Sequence, residues 1–291
     1  MVSGYRPIQS PKLQQELQHD GYRYREYAPS ARLAGHVACY WTVDIQAGHG
    51  EQPHRILPDG CVDIIIDRRS PASRNAGFVA GLMTQYELLS FSETQSSFGI
   101  RFFSESAQSV LQVPLSSFIG HHVFLEEIWG AEGLLMAEEI LSADTVSEII
   151  TIADRNLLRI LAAYDEASET LSMLGMKYIY AYKGSITTAD LAWKLSYSER
   201  HLRRVFEREL GVSPKEMLGI VRFQSMLQEL YNGTFSSLAD LATKYGYYDQ
   251  SHFIKSFKRY YGLLPTQTLG TDERSPIFPI RTATENRIVW M

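Results

Sequence analysis

Residues 246–265 have the sequence Gly-Tyr-Tyr-Asp-Gln-Ser-His-Phe-Ile-Lys-Ser-Phe-Lys-Arg-Tyr-Tyr-Gly-Leu-Leu-Pro. A polar turn here leads into a basic amphipathic helix, for which Asp249 is a suitable N-cap and Gly262 a suitable end. Phe253 and Phe257 lie four residues apart on this helix and are predicted to pack against a short amphipathic helix that precedes the turn. The pattern therefore predicts a helix-turn-helix motif.

The same pattern occurs about fifty residues earlier in the chain. There Ser198 is the corresponding cap, Leu202 and Phe206 point inward, and Gly211 ends the helix. Between the copies, residues 214–231 predict one helix of roughly 25 Å. One such motif is a weak signal, but two in tandem indicate two reading helices that reach adjacent major grooves, about one duplex turn of roughly 34 Å apart.

The tandem motif resembles the DNA-binding domain of the AraC/XylS family of bacterial transcription regulators, most clearly at residues 246–265. The resemblance covers about residues 176–268. It implies an all-α domain at 176–270 that contains two helix-turn-helix units and binds double-stranded DNA. Its two reading helices are expected at 199–210 and 249–261.

The distribution of charge agrees with a DNA-binding C-terminal domain, although the net charge of the whole chain is −5. Residues 176–270 contain 13 Lys and Arg against 8 Asp and Glu, whereas residues 1–175 contain 12 against 22. A basic unit attached to an acidic one is expected if only the basic unit contacts phosphate.

Helix geometry predicts which side chains face DNA, because outward residues in the first turns of a recognition helix meet the groove. Arginine can pair with guanine and glutamine with adenine, while isoleucine can contact a thymine methyl group. The predicted base-reading residues are Arg200, Arg203, Arg204, Gln250, Ser251, Ile254 and Lys255. The predicted phosphate contacts are Arg222, Lys258 and Arg259. We interpret His201 and His252 as packing groups on the helix surfaces.

The first part of the chain is predicted to be rich in β-strands. Runs of β-branched and aromatic residues occur at 37–45, 55–67, 77–83 and 98–103, and turn signals occur at 47–50, 58–60 and 70–73. From about residue 107 the hydrophobic period is helical, most clearly at 131–141 and 145–164. The predicted fold class is α+β, with a β-rich barrel or sandwich and helices over residues 1–175 before the all-α domain.

Residues 55–66 and 98–102 are similar to the β-rich N-terminal domains of some AraC-type regulators. In that family these domains are cupin-like and commonly bind a small effector, mediate dimerisation, or both. The resemblance implies the same roles here. The tail at 271–291 departs from the family pattern, which usually ends soon after the position of Pro265.

Arg101 lies among apolar residues in a predicted strand, so its charge requires a partner. Asp59, Asp63 or the carboxylate of a ligand can supply one. We therefore predict that Arg55, Asp59, Asp63 and Arg101 form either an effector pocket or an internal ion pair that organises the turn at 58–60. The ion pair is the preferred interpretation.

Several classes of site are not predicted. Cys39 and Cys61 lack metal-ligand spacing and are expected to be buried thiols, and the His-x-His pair of metal-binding cupins does not occur. No phosphate loop or catalytic signature is present, so we predict neither an enzyme nor a cofactor. No apolar run approaches the roughly 18–20 residues that span a membrane. The protein is therefore expected to be cytoplasmic.

Three hypotheses for function follow. The first is a sequence-specific transcription regulator, modulated by a small effector or by homodimerisation through its N-terminal domain. Activation, common in the family, would add RNA polymerase as a partner.

The second hypothesis is an effector-independent regulator whose N-terminal domain is only an assembly surface. The third is an enzyme fused to a DNA-binding module, as in alkyl-DNA repair proteins. Those proteins need several cysteines for zinc and for a reactive thiol, and two isolated cysteines cannot supply both.

Overall fold

The computed structural model describes residues 5–9, 14, 21–46, 54–91, 93–163, 169–235 and 237–268. The strands are β1 (Tyr22–Tyr27), β2 (Val37–Ile45), β3 (His54–Ile56), β4 (Cys61–Asp67), β5 (Gly77–Ala80), β6 (Glu87–Leu89), β7 (Gln95–Phe103) and β8 (Val123–Phe124). The helices are α1 (Ser104–Leu111), α2 (Leu125–Trp129), α3 (Ala131–Ser142), α4 (Val146–Ala163), α5 (Leu171–Ala181), α6 (Thr188–Lys194), α7 (Glu199–Glu209), α8 (Pro214–Asn232), α9 (Leu238–Lys244), α10 (Gln250–Tyr261) and α11 (Pro265–Thr268). A β-rich N-terminal domain thus precedes a helical domain with two helix-turn-helix units, as predicted. The predicted turn at 47–50 and the tail at 271–291 lie outside the described residues.

The N-terminal domain is built on a six-stranded antiparallel sheet in the order β1-β2-β7-β4-β5-β8. Strands β3 and β6 form a separate two-stranded ribbon. The predicted strand at 55–67 is therefore two strands in different sheets. The break occurs because Pro58 lacks an amide donor and Gly60 adopts a left-handed conformation with φ of +70°.

One face of the six-stranded sheet forms the core with the helices. Tyr40, Phe98 and Phe102 are fully buried on this face, and their cluster continues through the helical domain. The Tyr40 hydroxyl donates a hydrogen bond to the Asp154 carboxylate on α4. Helix α1 packs on both α4 and α5, so it joins the sheet to the start of the helical domain.

The opposite face of the sheet carries aromatic and charged side chains. The Trp41 indole lies directly over Gly99 on the neighbouring strand, where a Cβ atom would be only 1.9 Å from the ring. Glycine at 99 is therefore required by the close approach of the indole. Tyr24 stacks with the same indole, with ring centroids 6.3 Å apart.

The two helix-turn-helix units have the same local signals. Ser198 accepts a hydrogen bond from the His201 amide at 3.2 Å, and Asp249 accepts one from the His252 amide at 2.7 Å, so both residues are N-caps, as predicted, of the helices expected to read DNA. Gly262 ends α10 in a left-handed conformation. These caps fix the residue at which each reading helix begins.

The turns of the two units differ in length by one residue. Ser196 and Gly246 occupy the equivalent left-handed positions, with φ of +61° and +69°. Two residues, Tyr247 and Tyr248, then separate Gly246 from the cap of α10. Tyr248 is 94% exposed beside the N-terminus of that helix.

Helix α8 joins the units over the predicted range and contributes to both. Ser213 and Glu216 form a capping box at its start, and Gly233 ends it. Helix α5 crosses the boundary at 175/176 that the sequence suggested, because its N-cap is Thr170. Pro265 opens the short helix α11.

Cys39 is half-buried and Cys61 is buried, and both are free thiols. Within the described ranges, no three His, Cys, Asp or Glu side chains are grouped so as to hold a metal ion. None of the helices described combines the length and apolar character needed to cross a membrane.

Candidate nucleic-acid interface

Helix α7, the first of the two predicted reading helices, has one apolar and one basic face. It buries Leu202 and Phe206, as predicted, together with Val205. The exposed residues on its other side include Arg200, Arg203 and Arg204. The helix is therefore held by its core contacts and presents guanidinium groups to solvent.

The second reading helix, α10, is built in the same way. Phe253 and Phe257 are buried and pack on each other with ring centroids 6.0 Å apart. Of the candidate base-reading residues, Gln250, Ser251 and Lys255 are exposed, whereas Ile254 is half-buried against the core. Ile254 thus has only part of its side chain available to a thymine methyl group.

A groove of about 980 Å³ separates the two units and contains parts of both reading helices. Its basic lining residues are Arg203, Lys215, Arg222, Lys255 and Arg259. Its acidic lining residues are Glu199, Glu207 and Glu216. The groove therefore brings Arg203, Lys255, Arg222 and Arg259 together, while Arg200, Arg204, Gln250, Ser251, Ile254 and Lys258 lie outside its lining.

Two of the groove arginines make ion pairs with its carboxylates. Arg203 Nε lies 2.7 Å from Glu207 Oε1 one helical turn away, and Arg259 Nη2 lies 3.7 Å from Glu216 Oε1. Exposed pairs of this kind contribute only about 0–1 kcal/mol. Both guanidinium groups can therefore exchange a carboxylate for a nucleic-acid acceptor at small cost.

The three predicted phosphate contacts differ in their surroundings. Lys258 and Arg259 are exposed in the last turn of α10. Arg222 is half-buried on α8, where its Nε donates to the Gly184 carbonyl oxygen at 3.0 Å. Its guanidinium carbon also lies 5.7 Å from the centroid of the Tyr247 ring. Arg222 is thus already part of the packing between the two units.

Two groove residues, Lys215 and His252, were not among the DNA contacts predicted from the sequence. Lys215 follows Pro214 at the start of α8, and its position between the reading helices was the available signal. The His252 ring packs edge-on against Tyr247, with centroids 5.4 Å apart, and His201 stacks on Tyr197 at 5.0 Å.

Arg101 makes ion pairs with two carboxylates on the aromatic side of the sheet. Its Nε lies 3.1 Å from Asp59 Oδ2, and its Nη2 lies 2.8 Å from Asp63 Oδ2. The Trp41 indole also donates to Asp63 at 3.0 Å. Burial raises the pKa of Asp63, and the Arg101 charge opposes that rise. We call Asp59, Asp63 and Arg101 the buried ionic cluster.

Arg55, which the sequence placed with this cluster, lies elsewhere because β3 pairs with β6 rather than with β7. Its Nη1 donates to the Tyr261 carbonyl oxygen at 2.7 Å, at the C-terminal end of α10. Its guanidinium group also lies 5.2 Å from the centroid of Tyr86. A cation at this helix end is favourable, so Arg55 fastens the second reading helix to the N-terminal domain.

Gln224 on α8 forms a polar link between the domains and has no exposed surface. Its Oε1 accepts from the Ile8 amide at 2.7 Å. Its Nε2 donates to the carbonyl oxygens of Ile8 at 3.2 Å and Pro58 at 2.9 Å. A single side chain therefore holds the N-terminal segment and the turn at 58–60 against α8.

The same turn connects α8 to the buried ionic cluster. The Asp59 carboxylate accepts from Gln9 Nε2 at 2.6 Å, and the Asp59 carbonyl oxygen accepts from the Tyr5 hydroxyl at 2.6 Å. Tyr5 stacks on Tyr180 of α5 with ring centroids 4.5 Å apart. The ionic cluster is thus linked through Asp59 and Tyr5 to α5.

Glu105 on α1 is predicted to make folding sensitive to pH. Burial raises the pKa of Glu105 from 4.5 to about 7, although it accepts a hydrogen bond from Tyr180. The folded state binds more protons than the unfolded state between these values, so stability should fall as pH rises from about 4.5 to 7. Glu105→Gln should flatten this fall in urea midpoints measured at several pH values. Exposed Glu138→Gln is the control, and an equally steep fall in Glu105→Gln would contradict the assignment.

Comparisons with known proteins match the two parts of the chain separately. Residues 191–271 match a family model described as a helix-turn-helix domain, and residues 25–124 match one described as a domain of unknown function. A structure of ToxT from Vibrio cholerae aligns with 84% of this chain and 98% of its own, at 14% identity and a TM-score of 0.44.

The similar curated proteins are transcription regulators. The uncharacterized HTH-type transcriptional regulator YtdP of Bacillus subtilis is 25% identical over 166 residues, which cover 53% of this chain and 21% of YtdP. The lactose operon transcription activator of Staphylococcus xylosus is 32% identical over 80 residues, or 28% of each chain. An HTH-type regulator of Haemophilus influenzae is 39% identical over 78 residues, which cover 27% of this chain and 26% of that protein. The chain thus spans about a quarter of the length of these relatives.

Proposed function

We propose that this chain is a DNA-binding transcription regulator of the AraC/XylS family, and that it reads two adjacent major grooves with α7 and α10 under the control of its N-terminal domain. The observation that supports this most is the groove between the units, to which both reading helices contribute basic side chains. Two helices that flank one groove of the protein can enter successive major grooves on the same face of a duplex.

Within this proposal, the exposed residues of the two helices read bases. Arg200, Arg203 and Arg204 contact guanine, while Gln250, Ser251 and Lys255 contact the other half-element, with a smaller contribution from Ile254. Lys258 and Arg259 hold phosphates and set the register. As the name of one relative indicates for that protein, we propose activation of transcription, with RNA polymerase as a partner.

Arg203→Ala and Lys258→Ala are expected to weaken DNA binding in different ways. Loss of Arg203 should cost about 1–3 kcal/mol on the specific duplex and relax the preference at one base pair. Loss of Lys258 should weaken all duplexes alike and reduce the salt slope by about one. Titrations of specific and scrambled duplexes at several salt concentrations measure both effects.

The control for these variants is Lys244→Ala, because Lys244 is an exposed cation on α9 whose ammonium pairs with Glu229 away from the groove. It should leave both affinities nearly unchanged. Unchanged specific binding in Arg203→Ala, together with lost discrimination in Lys258→Ala, would show that the reading helices are oriented differently.

The N-terminal domain controls binding, in our proposal, through α8. The turn at 58–60 and Gln224 connect the buried ionic cluster to this helix, which carries both units. A small effector or a second copy of the chain that displaces the turn would therefore favour one arrangement of the reading helices over another.

A second candidate is an effector-independent regulator whose N-terminal domain is only an assembly surface. Tyr40, Phe98 and Phe102 fill the core side of the sheet with large aromatic groups, which favours this alternative for that face. A screen of small molecules for a shift in melting temperature separates the two candidates, because only a ligand-binding domain is stabilised.

A further inference from the structure

Arg222 on α8 contacts both helix-turn-helix units at once. Its Nε donates to the carbonyl oxygen of Gly184, which lies in the loop before the first unit, α6–α7. Its guanidinium group lies over the ring of Tyr247, which is in the turn of the second unit, α9–α10. The two contacts use different parts of one planar group, so they are made together.

Close backbone packing makes the contact with the first unit rigid. Gly184 has φ of +70°, and a Cβ atom there would lie 2.3 Å from the Leu218 carbonyl oxygen and 2.5 Å from the Arg222 nitrogen. Only glycine allows the loop to lie this close to α8. The carbonyl that Arg222 holds is therefore fixed relative to the helix axis.

The contact with the second unit is supported by neighbouring aromatic groups. The Tyr247 ring is buried and packs edge-on against Phe253 with centroids 5.4 Å apart. One turn before Arg222 on α8, Gly219 leaves room for the hydroxyl of Tyr260 from α10. The Tyr247 ring thus moves with the reading helix α10.

We propose that Arg222 is a positioning residue that sets the angle between the two units, and through it the spacing of half-elements that the protein accepts. This inference rests on the proposed function. The distance between the reading helices then depends on one guanidinium bridge, in addition to the length of α8. The bridge makes the protein reject half-elements that are one base pair too near or too far.

Two substitutions separate this role from that of a phosphate contact. Arg222→Met removes the charge and retains an unbranched stem. Arg222→Lys retains the charge, but one ammonium group cannot hold the Gly184 carbonyl and cover the Tyr247 ring together. The measurement is affinity for duplexes with the selected spacing and with spacings one base pair shorter and longer.

Both variants should lower the ratio between selected and altered spacings about tenfold. A phosphate contact would behave differently, because Arg222→Met would weaken all spacings alike and lower the salt slope, and Arg222→Lys would restore both. That second pattern would overturn the inference. Lys215→Met removes another groove cation and should leave the spacing ratio unchanged.

A measurement without DNA tests the bridge independently of the proposed function. Spin labels at the exposed positions Trp193→Cys and Thr243→Cys, on the first helices of the two units, report the distance between them in a chain with Cys39→Ser and Cys61→Ala. The distance distribution should be narrow with Arg222 and clearly broader with Arg222→Met. An unchanged distribution would overturn the inference, whereas wild-type protein that binds no spaced duplex would overturn the proposed function alone.

Discussion

Gln224→Leu is expected to uncouple the N-terminal domain from the DNA-binding domain. The substitution leaves three buried backbone groups, the Ile8 amide and the carbonyls of Ile8 and Pro58, without the side chain that satisfies them. Each unsatisfied group costs about 1–3 kcal/mol, so the junction should lose about 2–5 kcal/mol after partial rehydration. Urea unfolding followed by hydrogen exchange should show the two domains unfolding at separate midpoints.

The matched control is Gln228→Leu. Gln228 lies one turn further along α8, is half-buried, and also donates to the N-terminal segment, at the carbonyl of the exposed Arg6. Water replaces that hydrogen bond, so the loss should be below about 1 kcal/mol. Single-midpoint unfolding of Gln224→Leu at wild-type stability would show that this link does not couple the domains.

Arg101→Met should destabilise the N-terminal domain by about 3–5 kcal/mol, because it leaves the carboxylates of Asp59 and Asp63 buried without a cation. The loss should also loosen the turn at 58–60 and so alter DNA affinity, although Arg101 lies in the sheet. Thermal unfolding and duplex titration of the same preparation measure the two effects.

The control for Arg101→Met is Arg74→Met. Arg74 holds Glu126 through two hydrogen bonds, but its side chain is 74% exposed. Its removal should cost less than about 1 kcal/mol. Equal effects of the two substitutions would mean that the Arg101 pairs are screened in the same way as surface pairs.

Local signals explain why the helical domain could be predicted from sequence. Ser198 and Asp249 cap the reading helices through amides three residues away, and the buried faces of these helices follow the helical period. Strand β2 was also predicted to the residue, because its content of β-branched and aromatic residues is a local signal. Structural features that depend on a few neighbouring residues can therefore be predicted from the sequence.

Short strands, and contacts between residues far apart in the chain, could not be predicted from such local signals. Strands β6 and β8 are three and two residues long, too short for any periodic signal. Strand β1 was missed although its sequence alternates aromatic and charged residues, as a half-buried strand does.

Polar contacts between domains depend on residues that are far apart in the chain. Gln224 stands in an apolar stripe of α8, but its partner Ile8 is 216 residues away, so the sequence indicated no role for it. Arg55 was grouped with Asp59, Asp63 and Arg101, yet pairing of β3 with β6 carries it to the end of α10. Such contacts become visible only when the topology is known.

The central claim is that the protein reads two half-elements on one face of DNA. The most direct test is selection of random duplexes on the full-length protein, followed by salt titration of the winning sequence. We predict a motif of two half-elements about one helical turn apart, with affinity that falls steeply as salt rises. Enrichment of a single half-element, or of no sequence above the starting pool, would contradict the claim.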